Sequence, residues 1–230
     1  MLTRAFAEAL AEAEEIIAGA PHVSSEQDLA EGYDYLAGSI QASLRLAWAY
    51  QRDFPYFVSS TGPYAKMGLD NPDTLYFHAY LRDDAEYVVT GRRGSTADLS
   101  FQVLKGDYSP VEVPDSLSAF DDRAVRVAGN GDFEFRLGPG KARPGYFTLG
   151  PGSAMLLVRE VYSDWAADRR GTIRIYRPDQ AGHAPPPLTP RRTRASSSAA
   201  CGTSRSTTST TRPVSPPIRP ASTRTAGCAS

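Results

Sequence analysis

A chain of 230 residues with 41% hydrophobic and 10% aromatic residues can bury one good core with appendages. Its two cysteines, Cys201 and Cys228, both lie near the C-terminus, which excludes a disulfide framework or a thiol nucleophile from the remainder. The formal net charge of −1 conceals an asymmetry: the acids stop at Asp179 and seven arginines follow, so residues 1–180 hold 18 basic against 26 acidic side chains, about −8, which argues against a nucleic-acid partner.

Phe6, Leu10, Ala13 and Ile17 recur at helical spacing with Glu8, Glu12, Glu14 and Glu15 largely off the stripe, predicting a first amphipathic helix that ends near Gly19. Ser24 with Gln27 three residues on reads as a capping box. Leu29, Tyr33, Leu36, Ile40, Leu44 and Ala47 then mark a longer helix to about Tyr50. Residues 1–52 are expected to form a helical hairpin leaning on a β-domain. These first twenty residues lack the pattern of a signal peptide, and no run approaches membrane-spanning length, so a cytoplasmic protein without a membrane partner is expected.

Arg52 to Leu69, with Pro55, Gly62, Pro63 and Gly68 among aromatics, reads as a long connection. Asn71-Pro72-Asp73 is a turn. From Leu75 to Arg82 the apolar Leu75, Phe77, Ala79 and Leu81 alternate with Tyr76, His78, Tyr80 and Arg82, the period of a half-buried strand. Glu86 to Arg92 follows as a second strand, and Leu99, Phe101 and Val103 as a third, giving an expected antiparallel meander with Tyr76, His78 and Arg92 on its solvent-facing rim.

Tyr108 to Arg123 reads as irregular, crossing between sheets. Val125 and Val127, then Gly129-Asn130-Gly131-Asp132, then Phe133, Phe135 and Leu137 predict a tight hairpin. Tyr146 to Leu149 is a short strand. Met155 to Asp164 is apolar on both faces and hence central, with Arg159 on one face and Glu160 on the other. Ile173 and Ile175 mark a last strand. From Ala181 the chain has no acid, lysine, amide, Phe, Tyr or Trp, so residues 181–230 are expected to be a disordered low-complexity tail. The abrupt change near Pro190 to residues with GC-rich codons reads either as a natural tail or as a slipped reading frame, which sequencing of the DNA distinguishes.

Motifs that carry chemistry are sparse. Gly138-Pro139-Gly140-Lys141 lacks the spacing of a phosphate-binding loop, and Gly150-Pro151-Gly152-Ser153 that of a nucleophile elbow. His22, His78 and His183 are scattered, so no metal site and no cofactor is expected. Asp73, Asp164 and His78 are the catalytic candidates, the two carboxylates at strand ends where turn-capping is the commoner task. Arg92, Arg93 and Arg159 could grip an anion, although a charge within a sandwich more often pairs with an acid.

Asn71-Pro72-Asp73-x-x-Tyr76, Gly91-Arg92-Arg93-Gly94 and Val158-Arg159 with Asp164-Trp165 resemble the bacterial domain of unknown function numbered twelve-fourteen, over residues 50–180. The resemblance implies a jelly-roll-like β-sandwich and no established chemistry. In actinobacterial members a Pro-rich stretch like Ala184 to Pro190 leads into a C-terminal helix, which is missing here.

The expected architecture is therefore α+β: an N-terminal helical hairpin, an antiparallel jelly-roll-like sandwich over residues 53–180, and a tail. The expected function is binding of a small polar or anionic ligand at the mouth of the sandwich by Asn71, Tyr76, Arg92, Arg93, Arg159 and Trp165. A hydrolase acting on a glycosidic or ester bond and a structural or accessory domain are the alternatives. A small-molecule ligand, and as an option a second copy of the chain, are the expected partners.

Overall fold

Helix α1 (Leu2–Ala18) opens the structure, a computed structural model that describes residues 2–48, 51–68, 70–106 and 114–187. The tail beyond residue 187 lies outside the described residues. Helix α2 (Glu26–Trp48) follows after a short turn. Its start is capped one residue later than the sequence suggests: Ser25 Oγ accepts from the Asp28 N–H (3.1 Å), and the Asp28 carboxylate accepts from Ser24 N (2.9 Å) and Ser25 N (3.0 Å). The hydrogen bonds from Ser24, foremost its backbone N–H, hold the Asp28 carboxyl below its ordinary value.

Nine strands follow among the described residues: β1 (Val58–Ser59), β2 (Thr74–Tyr80), β3 (Tyr87–Arg92), β4 (Asp98–Lys105), β5 (Asp115–Asp121), β6 (Asp132–Gly138), β7 (Tyr146–Thr148), β8 (Ser153–Val161) and β9 (Thr172–Tyr176). They form a first sheet of order β1-β2-β8-β4-β5 and a second of order β7-β6-β3-β9, antiparallel except for the β6–β7 pair. The fold is the expected α+β arrangement of two helices and a jelly-roll-like sandwich.

The expected meander does not form. Strands β2 and β4 both belong to the first sheet but flank β8, while β3 between them crosses to the second. Alternation within each strand fixes which side chains share a face, and says nothing about which strand is the neighbour. Likewise the turn at Gly129 to Asp132 is present, with Asn130 Oδ1 accepting from Asp132 N (3.0 Å), but the hairpin shrinks to one bridge between Val127 and Phe133. Val125 leaves the strand direction and is buried in the core. The region read as irregular contains the edge strand β5, paired to β4.

Between the sheets lie Phe77, Ala79 and Leu81 of the β2 region, Val89 of β3, Phe101 and Val103 of β4, Phe133, Phe135 and Leu137 of β6, and Leu156 and Val158 of β8. Aromatic rings fill its middle: Phe101 meets Phe135 edge-on at 4.9 Å, and Phe120 stacks on Phe147 at 3.7 Å. Strand β8 is central, as its two apolar faces require. Its other face carries Met155 and Leu157, which with Tyr80 and Leu104 form a second buried cluster, packed by Leu46 of α2, Val58 and Tyr76. The outer face of the first sheet is thus covered by α2 and the connection after it.

Candidate functional site

That covering is incomplete. Between α2, the 60–70 connection and the outer face of the first sheet lies a cleft of about 220 Å³. Its floor is Tyr76 and His78 of β2 with Met155, Leu157 and Arg159 of β8, Leu46 comes from α2, and Ser60, Thr61, Met67 and Asp70 come from the connection. Register sets the floor: Tyr76 lies opposite Arg159, and His78 opposite Leu157 on one side and Val58 on the other.

The connection is tied to the helix at several points. Gly38 of α2 has no side chain, and a Cβ there would stand 3.2 Å from the Lys66 backbone nitrogen, so the bare helix surface lets the connection lie against it. Tyr35 Oη accepts from Gly68 N (2.6 Å), and Arg45 donates to the Ser59 carbonyl (3.1 Å). Below, the Asp70 carboxylate accepts from Met67 N (2.8 Å), and Tyr76 Oη from Asn71 N (3.0 Å). Asp70 lines the cleft, and the bond from Met67 N engages one of its two carboxylate oxygens.

His78 is fully buried, and neither ring nitrogen has a hydrogen-bond partner among the described residues. Its ring meets that of Tyr80 edge-on at 5.8 Å. Buried polar groups are nearly always satisfied, so an imidazole with neither nitrogen bonded marks this cleft as the place to look for a ligand. Burial brings its pKa down to about 4, and the ring is neutral at pH 7. The sequence placed His78 as a hydrogen-bonded mouth residue; it turns inward because α2 covers the face to which alternation assigns it.

This imidazole makes stability depend on pH. An unfolded histidine takes its proton near 6.5 and the folded one only near 4, so the unfolded chain holds more protons between these values and stability is lost as pH falls through that window. The loss should total about 3 kcal/mol, from one proton over the interval. The charged and titratable groups around the ring are Asp70, Arg159 and Tyr76, which line the same cleft, and Tyr80, whose ring it meets. The carboxyls of Asp28, Asp84, Asp121, Asp168 and Asp179 are all held below their ordinary value by hydrogen bonds and act at lower pH. Urea unfolding at pH 7 and pH 4.5 should show a steeper loss in the native protein than in His78→Phe; equal losses would contradict the buried, uncharged ring.

Arg159 corrects another expectation. It lies on the outer face, away from the sandwich interior, and among the described residues it forms no ion pair. Its guanidinium carbon is 5.8 Å from the centre of the Tyr76 ring. The acid inside the sandwich is its neighbour Glu160, 4% exposed, whose Oε1 accepts from Thr96 Oγ1 (3.2 Å) and Gly171 N (2.8 Å).

Of the remaining predicted residues only Asn71 touches the group of Tyr76, His78 and Arg159, through its backbone N–H on Tyr76 Oη. Arg92, on the second sheet, pairs with Asp132 (3.1 Å) in an exposed contact. Arg93 is consumed by the protein: it donates to Asp122 (2.6 Å), to Thr96 Oγ1 (2.8 Å) and to the Thr96 carbonyl (2.6 Å). Asp164 Oδ1 accepts from Ala166 N (2.8 Å) and Ala167 N (3.2 Å), and Asp73 Oδ1 from the Trp165 indole (3.3 Å), while Trp165 stacks on Tyr162 at 4.0 Å. Asn71 Oδ1 accepts from Asp73 N (2.9 Å). Of the two candidate catalytic carboxylates, Asp164 thus caps its own turn and Asp73 ties its loop to Trp165.

Sequence reasoning missed Ser60, Thr61 and Met67, which lie in the connection without any periodicity to assign them a face. Among the described residues no group of three or more His, Cys, Asp or Glu side chains could hold a metal ion, and no helix is long and apolar enough to cross a membrane.

No protein-family model matches the chain, and no curated protein does. Among solved structures, an uncharacterized protein from Burkholderia cenocepacia superposes with a TM-score of 0.79 at 29% identity, over 87% of this chain and 56% of its own. This chain thus spans just over half the length of that protein. The VPA0106 protein from Vibrio parahaemolyticus aligns with a TM-score of 0.34 at 13% identity, over 74% of this chain and 42% of its own.

Proposed function

We propose that the chain binds a small polar molecule bearing a carboxylate, in the cleft between α2 and the first sheet rather than at the mouth of the sandwich. The observation that carries this reading is the guanidinium of Arg159, which lines the cleft and, among the described residues, forms no ion pair. A guanidinium offers a planar fork of donors that matches a carboxylate, and a half-buried one whose fork is not taken up by an ion pair has donors to offer an anion. His78 adds one donor and one acceptor in its neutral form, and Ser60 and Thr61 contribute hydroxyls. The volume is below the roughly 300–1,000 Å³ of pockets for drug-sized ligands, so the occupant is metabolite-sized.

The hydrolase alternative needs Asp73 and Asp164, whose carboxylates accept from the Trp165 indole and from a turn, and is not carried further. Membership of the family that the sequence resembles is also proposed. It is supported by the place of the motif residues Asn71, Asp73, Arg93, Gly94 and Trp165, which build one end of the sandwich.

Thermal unfolding in the presence of small carboxylic acids, with and without an amino group, tests the binding reading. A ligand present at a hundred times its Kd adds about 2.7 kcal/mol, roughly 5–10 °C for a domain of this size. The native protein should show such a rise with at least one member of the panel, and Arg159→Gln should show none. No rise with any of them would overturn the proposal.

A further inference from the structure

Resting on the reading of this cleft as a carboxylate site, we infer that its ligand is a small zwitterionic amino acid, held by its carboxylate at Arg159 and by its ammonium at Asp70. The cleft is lined by one basic and one acidic side chain, and among the described residues neither is engaged in an ion pair. His78, which lines the same cleft, is neutral, so the one acidic and one basic side chain of the lining balance in charge.

A simple anion would satisfy Arg159 but would bring its charge into a small space shared with the Asp70 carboxylate, and like charges at close quarters in a partly desolvated site are costly. Residues 1–180, with about eight more acidic than basic side chains, add a long-range field that repels anions. A zwitterion meets neither penalty. Its carboxylate takes the guanidinium fork, and its ammonium takes the Asp70 carboxylate, one oxygen of which accepts from Met67 N. The two head groups are thereby read separately, and both are needed. His78, with its unpartnered nitrogens, is left to face a polar side chain, because a neutral imidazole accepts from and donates to a hydroxyl.

Calorimetric titration of the full chain with glycine, L-alanine, L-serine, lactate and propionate tests this. Binding of the amino acids is expected, L-serine most tightly, with propionate and lactate at least ten-fold weaker. Asp70→Asn keeps an acceptor for Met67 N and removes the charge; it should weaken L-alanine at least ten-fold while leaving propionate unchanged or tighter. Arg159→Gln should weaken all of them. If propionate or lactate binds the native protein as tightly as L-alanine, or if Asp70→Asn leaves L-alanine unaffected, the zwitterion is wrong while the carboxylate site stands. If Arg159→Gln changes nothing for any of the five, both readings fall.

Discussion

Gly94→Ala should destabilise the protein by about 3 kcal/mol or more. A Cβ on Gly94 would stand 2.0 Å from the Arg169 carbonyl oxygen and 2.6 Å from the Gly171 nitrogen, both backbone atoms. A flexible side chain could swing away from such a contact; here a segment must move instead. The displaced segment is the start of β9 and the turn before it, held to the same place by the bond from Ser95 N to the Arg169 carbonyl (2.9 Å). Overpacking of this kind usually costs 1–3 kcal/mol, and more where only backbone can yield. Gly129→Ala is the matched control, since a Cβ there meets nothing within 4 Å. Equilibrium urea unfolding of the two variants should separate them clearly, and a loss under about 1 kcal/mol for Gly94→Ala would refute the close crossing.

Arg93→Ala should cost a similar amount, about 3 kcal/mol, because its fork is shared among Asp122, Gly94 and Thr96 in a part-buried setting. Its side chain is 15% exposed and that of Asp122 22%, so screening by water is weak. Truncation leaves the Asp122 carboxylate and two carbonyls without their donor, and loosens Thr96, which holds the buried Glu160. Arg93→Lys keeps the charge but supplies no fork, and should recover less than half of the loss. Arg92→Ala, by contrast, removes one exposed pair and should change stability by under about 1 kcal/mol. The two adjacent arginines thus differ several-fold, although the sequence treats them alike.

What was readable in the sequence is the side-chain period, and what was not is the identity of the neighbour. Alternation correctly separated Phe77 and Ala79 from Tyr76 and His78, and correctly put Arg159 and Glu160 on opposite faces of a central strand. It could not tell which of those faces lies between the sheets, and so Arg159 was given an interior acid that belongs to its neighbour. Nor could it show that α2 lies over the polar face of β2, since that contact joins segments some thirty residues apart with no shared pattern. Strand β5 escaped notice because it is an edge strand, exposed or half-buried along its length, with only Leu117 and Phe120 to mark it. The Gly-Arg-Arg-Gly run stood out as a motif, yet its task of packing two backbones together is visible only once Gly94 and Gly171 are seen to meet.

The account turns on His78 being an uncharged ring that lines the cleft and has no hydrogen-bond partner among the described residues. Proton–nitrogen correlation spectra of the histidine rings during a titration with L-alanine test it most directly, since His22 and His183 serve as internal references. Both His78 ring nitrogens should shift with the same saturation curve as binding, the other two rings should stay still, and Arg159→Gln should abolish the shift. A His78 ring that titrates near the ordinary 6.5, or that stays unmoved while the ligand saturates, would contradict the proposed site.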